Sequence, residues 1–135
     1  MKRYDFLHKG PSFNVFFYSW SVWEYPALKN ILFLEYLYLH HNRLSGPIPN
    51  ALGQMKGLYG LYLNSNQING KIPSTLGQMK RLYNMDLSSN KLNGTIPPAL
   101  GKINNLYELD LSSNKLNGGI PSSLGQLTSL TSMFL

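Results

Sequence analysis

Three acidic residues in the second half of the chain have a spacing that could support chemistry. Asp86 and Asp110 lie 24 positions apart in matching strand-like segments, and Glu108 lies two positions before Asp110. If those segments are neighbouring strands, the two aspartates lie about 5 Å apart. Carboxylates about that far apart suit a retaining glycosidase. No feature of the sequence indicates a cleft that excludes water around them, so we predict that the chain is not an enzyme.

The other polar groups do not form a catalytic or metal-binding pattern. Ser88 and Ser112 have no histidine in the same stretch of sequence, which argues against a hydrolytic triad. As adjacent strand residues, His40 and His41 would point to opposite faces, and no third ligand is evident. Cysteine is absent, which removes thiol chemistry. We therefore predict neither a metal nor a cofactor.

A repeat of 24 residues positions all of these groups. Each copy of the repeat begins with a leucine, at Leu34, Leu58, Leu82, Leu106 and Leu130. A fixed period of this length is the signature of a solenoid, in which residues one period apart become neighbours. We predict a partial repeat over 25–33, full repeats over 34–57, 58–81, 82–105 and 106–129, and a truncated repeat over 130–135.

Residues 1–24 do not follow the repeat. Their aromatic run between Phe13 and Trp23 favours strand structure, and we predict that it forms a makeshift cap over the first repeat. Asp5, His8 and Lys9 interrupt the place where the apolar core of a signal peptide would begin, so no convincing signal peptide is present.

Charge and hydropathy argue against nucleic-acid binding and against a membrane-spanning segment. The net charge of +6 is distributed along the chain without a dense Lys/Arg cluster, so we predict no nucleic-acid binding. No apolar run reaches the roughly 20 residues of a membrane helix, so we predict no membrane span.

Each position in the repeat has a physical reason. Leu61 and Leu63 are two apart, so a strand turns both inward and Tyr62 outward. Gly70 permits a backbone conformation that side chains obstruct. The Ile-Pro pairs, such as Ile72/Pro73 and Ile120/Pro121, put one apolar side chain inward and begin a stiff extended segment. Leu76 and Met79 fit one face of a short helix or 3₁₀ turn. One asparagine per repeat predicts a structural ladder that satisfies backbone groups at the turn: Asn42, Asn66, Asn90 and Asn114.

The pattern L-x-x-L-x-L-x-x-N-x-L-x-G-x-I-P-x-x-L-G-x-L resembles plant-type leucine-rich repeats. These occur in ectodomains of receptor-like kinases, in receptor-like proteins and in polygalacturonase-inhibiting proteins. The resemblance covers residues 34–135 well and 25–33 weakly. It implies an α/β solenoid: a right-handed superhelix with a parallel sheet on the concave face, a second short strand near Gly-x-Ile-Pro, and 3₁₀ turns or short helices on the convex side. It also implies an extracellular or membrane-associated recognition role in signalling or defence.

The concave face of that fold supplies our candidate partner-binding residues. They change from aromatic and imidazole groups at one end to acidic and hydroxyl groups at the other, which suits contact with a protein, a peptide or a sugar. They are Tyr36, Tyr38, His40, Tyr62, Asn64, Asp86, Ser88, Glu108, Asp110 and Ser112.

We predict a non-catalytic module that binds a protein or peptide ligand, and a co-receptor is among the candidate partners. The alternatives are an inhibitor of a secreted cell-wall hydrolase, a carbohydrate-active enzyme using Asp86 and Asp110, and a truncated non-functional gene product. The relatives usually begin with a signal peptide and a cysteine-paired cap, which this chain lacks, so a fragment and a self-sufficient small protein both stay open. Asn93-Gly94-Thr95 is a sequon that would carry a glycan on a secreted chain.

Overall fold

The first strands of successive repeats pair in register, with residues 24 positions apart opposite each other. The computed structural model describes residues 34–135 in full, together with the strands formed by residues 4–8 and 13–17. Leu37 lies opposite Leu61, Leu61 opposite Met85, and Met85 opposite Leu109. The prediction that successive coils superimpose is therefore confirmed, and with it the solenoid.

A seven-stranded sheet, called here the long sheet, runs through the described coils. The strand order is β1-β2-β3-β5-β7-β9-β11, and every pair from β2 onward is parallel. The strands are Tyr4–His8 (β1), Phe13–Phe17 (β2), Leu34–Tyr38 (β3), Gly60–Tyr62 (β5), Asn84–Asp86 (β7), Glu108–Asp110 (β9) and Ser132–Phe134 (β11).

A second sheet of four strands and a row of 3₁₀ turns complete each coil. The four-stranded sheet, called the short sheet, has the order β10-β8-β6-β4, and the turns stack on one another. The resemblance implied both features, and both are confirmed. The short-sheet strands are Ser45–Pro47 (β4), Gln67–Lys71 (β6), Lys91–Gly94 (β8) and Lys115–Leu116 (β10). The turns are Asn50–Gln54 (η1), Ser74–Gln78 (η2), Pro98–Lys102 (η3) and Ser122–Gln126 (η4).

Two strands of the N-terminal segment join the long sheet. β1 pairs antiparallel with β2, and β2 pairs parallel with β3 after a register shift between Phe13 and Asn14. The rest of the predicted cap over 1–24, and the partial repeat over 25–33, lie outside the described residues. The cap stays a prediction.

The core is a set of leucine, isoleucine and methionine columns between the two sheets and the turns. Leu58, Leu82 and Leu106 are completely buried, as are Leu61 and Leu109. One expectation was wrong. Ile120, which the Ile-Pro pattern places inward, is 59% exposed, because its coil is the last to reach that level and no later strand of the short sheet lies over it.

In three successive coils an asparagine bonds to the coil before it, while the Nδ2 of Asn42 donates to the carbonyls of Leu39 and His40 in its own coil. Asn90 Oδ1 accepts the amide of Ile68 at 3.0 Å, and Asn90 Nδ2 donates to the carbonyl of Leu63 at 3.0 Å. Asn66 and Asn114 repeat both contacts one coil earlier and one coil later. Because the amide group carries donors and an acceptor together, one side chain satisfies backbone groups on two coils.

Two glycines of the repeat are required for different reasons. Gly70 has φ +76°, a conformation that side chains disfavour. Gly77 lies in η2, where an added Cβ would be 2.2 Å from the carbonyl oxygen of Ala99 in η3. The coils therefore approach each other along the turns at a distance that only glycine permits.

Candidate functional site

The predicted site residues form rows across the strands of the long sheet. One row contains Tyr36, Gly60, Asn84, Glu108 and Ser132 in register. The next contains Tyr38, Tyr62, Asp86, Asp110 and Phe134. The face continues beyond the strand ends. Two positions after each residue of the second row, four of the coils place His40, Asn64, Ser88 and Ser112. The structure thus places the predicted partner-binding residues along one face, where Ser88 is buried and the other nine are partly or fully exposed.

Aromatic rings pack on each other at the β3–β5 end of this face. Tyr38 and Tyr62 are stacked, with ring centroids 4.9 Å apart and an interplanar angle of 7°. Tyr36 stacks on Tyr38 at 5.9 Å, and the His40 ring meets Tyr38 edge-on at 6.0 Å. The rings hold one another in fixed orientations, as offset or edge-on aromatic pairs do.

The residues predicted from the sequence to bind a partner did not include a second column of tyrosines. Tyr59, Tyr83 and Tyr107 stack at 5.1 and 4.8 Å, immediately before strands β5, β7 and β9. Tyr59 also meets Tyr36 edge-on at 5.8 Å, which joins the two groups. The signal was the tyrosine that follows the first leucine of three successive repeats. We call the six connected rings the tyrosine platform: Tyr36, Tyr38, Tyr59, Tyr62, Tyr83 and Tyr107.

Packing raises the pKa of three phenols of the platform, those of Tyr36, Tyr38 and Tyr83. Burial, and then the neighbouring Tyr59, Glu35 and Tyr62, raises the pKa of Tyr36 above 10.0. The pKa of Tyr38 is raised by burial and by Tyr62 and Tyr36. Desolvation and the adjacent phenols likewise raise the pKa of Tyr83. These hydroxyls are therefore neutral hydrogen-bonding groups at physiological pH.

Gly60 lies under the platform and has no room for a side chain. A Cβ there would be 2.7 Å from Cδ1 of Tyr36 and 2.8 Å from Cε2 of Tyr62. We expect Gly60→Ala to push both rings aside, separate the Tyr38–Tyr62 stack and reduce the near-ultraviolet circular dichroism of tyrosine. Gly119→Ala, with nothing within 4 Å of its Cβ, is the control. Identical spectra for the two variants would contradict this packing.

Asp86 and Asp110, called here the acidic pair, lie side by side on adjacent strands in register. Oδ1 of Asp86 accepts the Ser88 amide at 3.0 Å and the Ser88 hydroxyl at 2.7 Å. Asp110 makes the same two bonds with Ser112, at 2.9 and 2.6 Å. One oxygen of each carboxylate is therefore fixed by its own coil.

Asn84 lies between the tyrosine platform and the acidic pair. Its Nδ2 donates to the Tyr62 hydroxyl at 2.9 Å, which ties β7 to the ring on β5. Its Oδ1 is the buried side-chain acceptor that lacks a partner among the described residues. Asn84 therefore joins β7 to the tyrosine platform through its Nδ2, while its Oδ1 is buried and not accessible to a partner.

The prediction that His40 and His41 point to opposite faces of a strand was wrong. β3 ends at Tyr38, and His41 has φ +53°, so it does not alternate with His40 as strand residues do. The two rings instead meet edge-on at 5.3 Å. Ser65, Ser89 and Ser113 share the left-handed conformation of His41 in the later coils. Within the described residues, no group of three or more His, Asp or Glu side chains could hold a metal ion.

Among the described residues, at least two open depressions lie away from the platform and the acidic pair. One, of about 400 Å³, lies beside Leu111, Leu116, Ile120 and Leu135. The other, of about 500 Å³, lies on the 3₁₀ turns among Lys56, Lys80 and Lys102. Neither is lined by a carboxylate. In the part of the chain that the structure describes, no helix has the length and apolar character needed to cross a membrane.

Three solved structures of plant proteins are similar to this chain. The GASSHO1/SCHENGEN3 ectodomain from Arabidopsis thaliana, in complex with CASPARIAN STRIP INTEGRITY FACTOR 2, has a TM-score of 0.81 and 32% identity over 89% of this chain. The plant peptide hormone receptor RGFR1 in complex with RGF2 has a TM-score of 0.73 and 44% identity over 77%. A chain of the BIR3–SERK2 complex from Arabidopsis thaliana has a TM-score of 0.72 and 31% identity over 90%.

This chain spans 15%, 17% and 64% of the lengths of those three chains. A search of curated proteins found no match. Models of the leucine-rich repeat match residues 33–92 and 105–127. With its in-register coils, asparagine ladder and receptor-ectodomain neighbours, the chain belongs to the plant-type leucine-rich repeat family.

Proposed function

We propose that this chain is a non-catalytic recognition module that binds a protein or peptide partner on its long sheet. The observation that supports the proposal is the tyrosine platform, six rings in contact across four coils of one sheet. Tyrosine offers a large contact area with few torsions to freeze, and these rings are already ordered by one another. The similar GASSHO1/SCHENGEN3 and RGFR1 structures are themselves complexes with a ligand.

Enzymatic use of the acidic pair has little support. Asp86 and Asp110 each use one oxygen to bind a serine of their own coil, and both lie on an open sheet face. A glycosidase needs a site that excludes water and a carboxylic acid with a raised pKa. The inhibitor-type alternative stays a prediction, and adding the chain to a secreted polygalacturonase during pectin hydrolysis tests it directly.

We place the module outside the cell, as part of a receptor-like assembly that includes a co-receptor. One similar structure is the ectodomain of a plant membrane receptor kinase, and another is a chain of the BIR3–SERK2 complex. Asn93 is exposed on β8 of the short sheet, away from the long sheet, so a glycan there would leave the platform accessible. Glycosylation at Asn93 stays a prediction.

Selection from a random twelve-residue peptide library displayed on phage tests the binding function. We expect the protein to yield binders, and we expect Tyr38→Ala combined with Tyr62→Ala to weaken them by about 30-fold or more. That loss follows because a buried aromatic anchor commonly contributes about 2 kcal/mol or more. Isothermal titration calorimetry measures the affinities.

The matched control changes exposed residues of the same two coils. Gln54→Ala with Gln78→Ala alters η1 and η2 and leaves the long sheet unchanged. Its affinity should stay within about twofold of the parent protein. A selection that yields no binder, or binders that respond equally to both double variants, would refute the proposed function.

A further inference from the structure

We infer that the partner is a cationic segment, which carries an apolar or aromatic residue over Tyr38 and Tyr62 and an arginine or lysine over the acidic pair. This inference rests on the proposed function and goes beyond it by naming the chemistry of the ligand. The net charge of the whole chain, +6, points the other way, toward an acidic partner. The distribution of charge over the coils reverses that expectation on the long sheet.

Positive and negative side chains are separated in the described coils. All four carboxylates of residues 34–135 lie in strands of the long sheet: Glu35, Asp86, Glu108 and Asp110. All eight cationic side chains of the same residues lie outside those strands: Arg43, Lys56, Lys71, Lys80, Arg81, Lys91, Lys102 and Lys115. The long sheet therefore presents a negative face on a positively charged molecule.

The acidic pair is organised before any partner arrives. Serine bonds fix one oxygen of Asp86 and of Asp110, while pairing in register keeps the two like charges one strand spacing apart. Like charges directly opposite each other on neighbouring strands are unfavourable. A guanidinium or ammonium group placed between them removes that repulsion and forms charge-assisted hydrogen bonds.

The aromatic and acidic parts of the face are contiguous. Tyr62 lies opposite Asp86 in register, so a cation bound by Asp86 is also close to the Tyr62 ring, where cation–π attraction contributes. Neighbouring groups on this face include the uncharged amides of Asn64 and Asn84. No described lysine or arginine of the long sheet competes for the carboxylates.

The geometry also sets a spacing within the partner. Tyr38 and Asp86 are two strands apart, which is about 9.6 Å across a sheet. An extended segment crossing the strands covers that distance in about three residues. The partner should therefore place a basic residue about three positions from its apolar or aromatic residue.

The test uses the phage-selected peptides as probes. Each peptide is synthesised in two versions, one with its arginine and lysine residues and one with all of them replaced by glutamine. We expect selected sequences to be enriched in basic residues at the stated spacing. Asp86→Asn with Asp110→Asn should weaken the basic peptides by about tenfold or more. Asparagine keeps the acceptor for the serine groups, so this change removes charge without removing the internal bonds. Raising NaCl from 50 to 500 mM should weaken the parent protein's binding more than that of the variant.

The control variant raises the net charge by the same two units, but at positions away from the long sheet. Asn104→Lys with Thr128→Lys places lysines at the coil position that already holds Lys56 and Lys80, and should leave affinity within about twofold. Equal loss in the control would show that only net charge matters and would overturn the inference. So would neutral or acidic peptides that depend on Tyr38 and Tyr62 but not on the acidic pair, although the proposed function would then stand. Capture of a neutral oligosaccharide, without any peptide, would overturn both.

Discussion

Gly77→Ala should lower the free energy of unfolding by about 3 kcal/mol, the upper end of the usual cost of overpacking. The new Cβ would lie 2.2 Å from the carbonyl oxygen of Ala99 and 3.0 Å from its Cβ. The first of these atoms is backbone, so the clash is relieved only if η2 and η3 move apart. Because every coil packs on its neighbours, that movement also weakens the leucine columns on both sides. Urea unfolding followed by circular dichroism measures the change.

The chain contains a matched control for this substitution. Gly125 occupies the same position in the last turn, η4, where an added Cβ has nothing within 4 Å. Gly125→Ala should change the free energy of unfolding by less than about 0.5 kcal/mol. If both alanine variants unfold at the same urea concentration, close contact between the turns does not contribute to stability as we describe.

Asn90→Ala should lower the free energy of unfolding by about 3 kcal/mol, because it leaves buried backbone groups without partners. Asn90 is buried; its Oδ1 accepts the Ile68 amide, and its Nδ2 donates to the carbonyls of Leu63, Leu87 and Ser88 at 3.0, 3.2 and 3.1 Å. Alanine supplies none of these bonds, and water has little access to replace them. The same urea experiment measures the loss.

Asn104→Ala separates this effect from the general consequence of removing an amide. Asn104 is exposed, so its replacement should cost less than about 0.5 kcal/mol. Equal stability of the Asn90 and Asn104 variants would contradict a structural role for the asparagine ladder.

The 24-residue period was sufficient to predict most of the fold. It identified the leucines that are buried, the asparagine of each coil and the glycine with positive φ, because each of those residue types has one dominant physical use at that spacing. It also predicted that Asp86 and Asp110 would be neighbours, which register on adjacent strands confirms.

Other features of the fold and the site depend on contacts between coils, which the sequence of a single repeat does not specify. The reason for Gly77 is the carbonyl of Ala99 in the next coil, and a sequence pattern does not report that distance. The contact between Tyr36 and Tyr59 joins two columns that alternation within a strand treats as separate. His41 leaves the strand with positive φ, so the rule of alternating faces did not apply to it.

Photo-cross-linking tests the central claim, that the long sheet is the binding surface, most directly. A selected peptide with a photoreactive phenylalanine at its apolar position would be irradiated on the protein, and the attachment site mapped by mass spectrometry. We predict attachment at or beside the tyrosine platform, on β3 and β5, and none after Tyr38→Ala with Tyr62→Ala. Attachment to the 3₁₀ turns η1–η4, unchanged by those substitutions, would contradict the account.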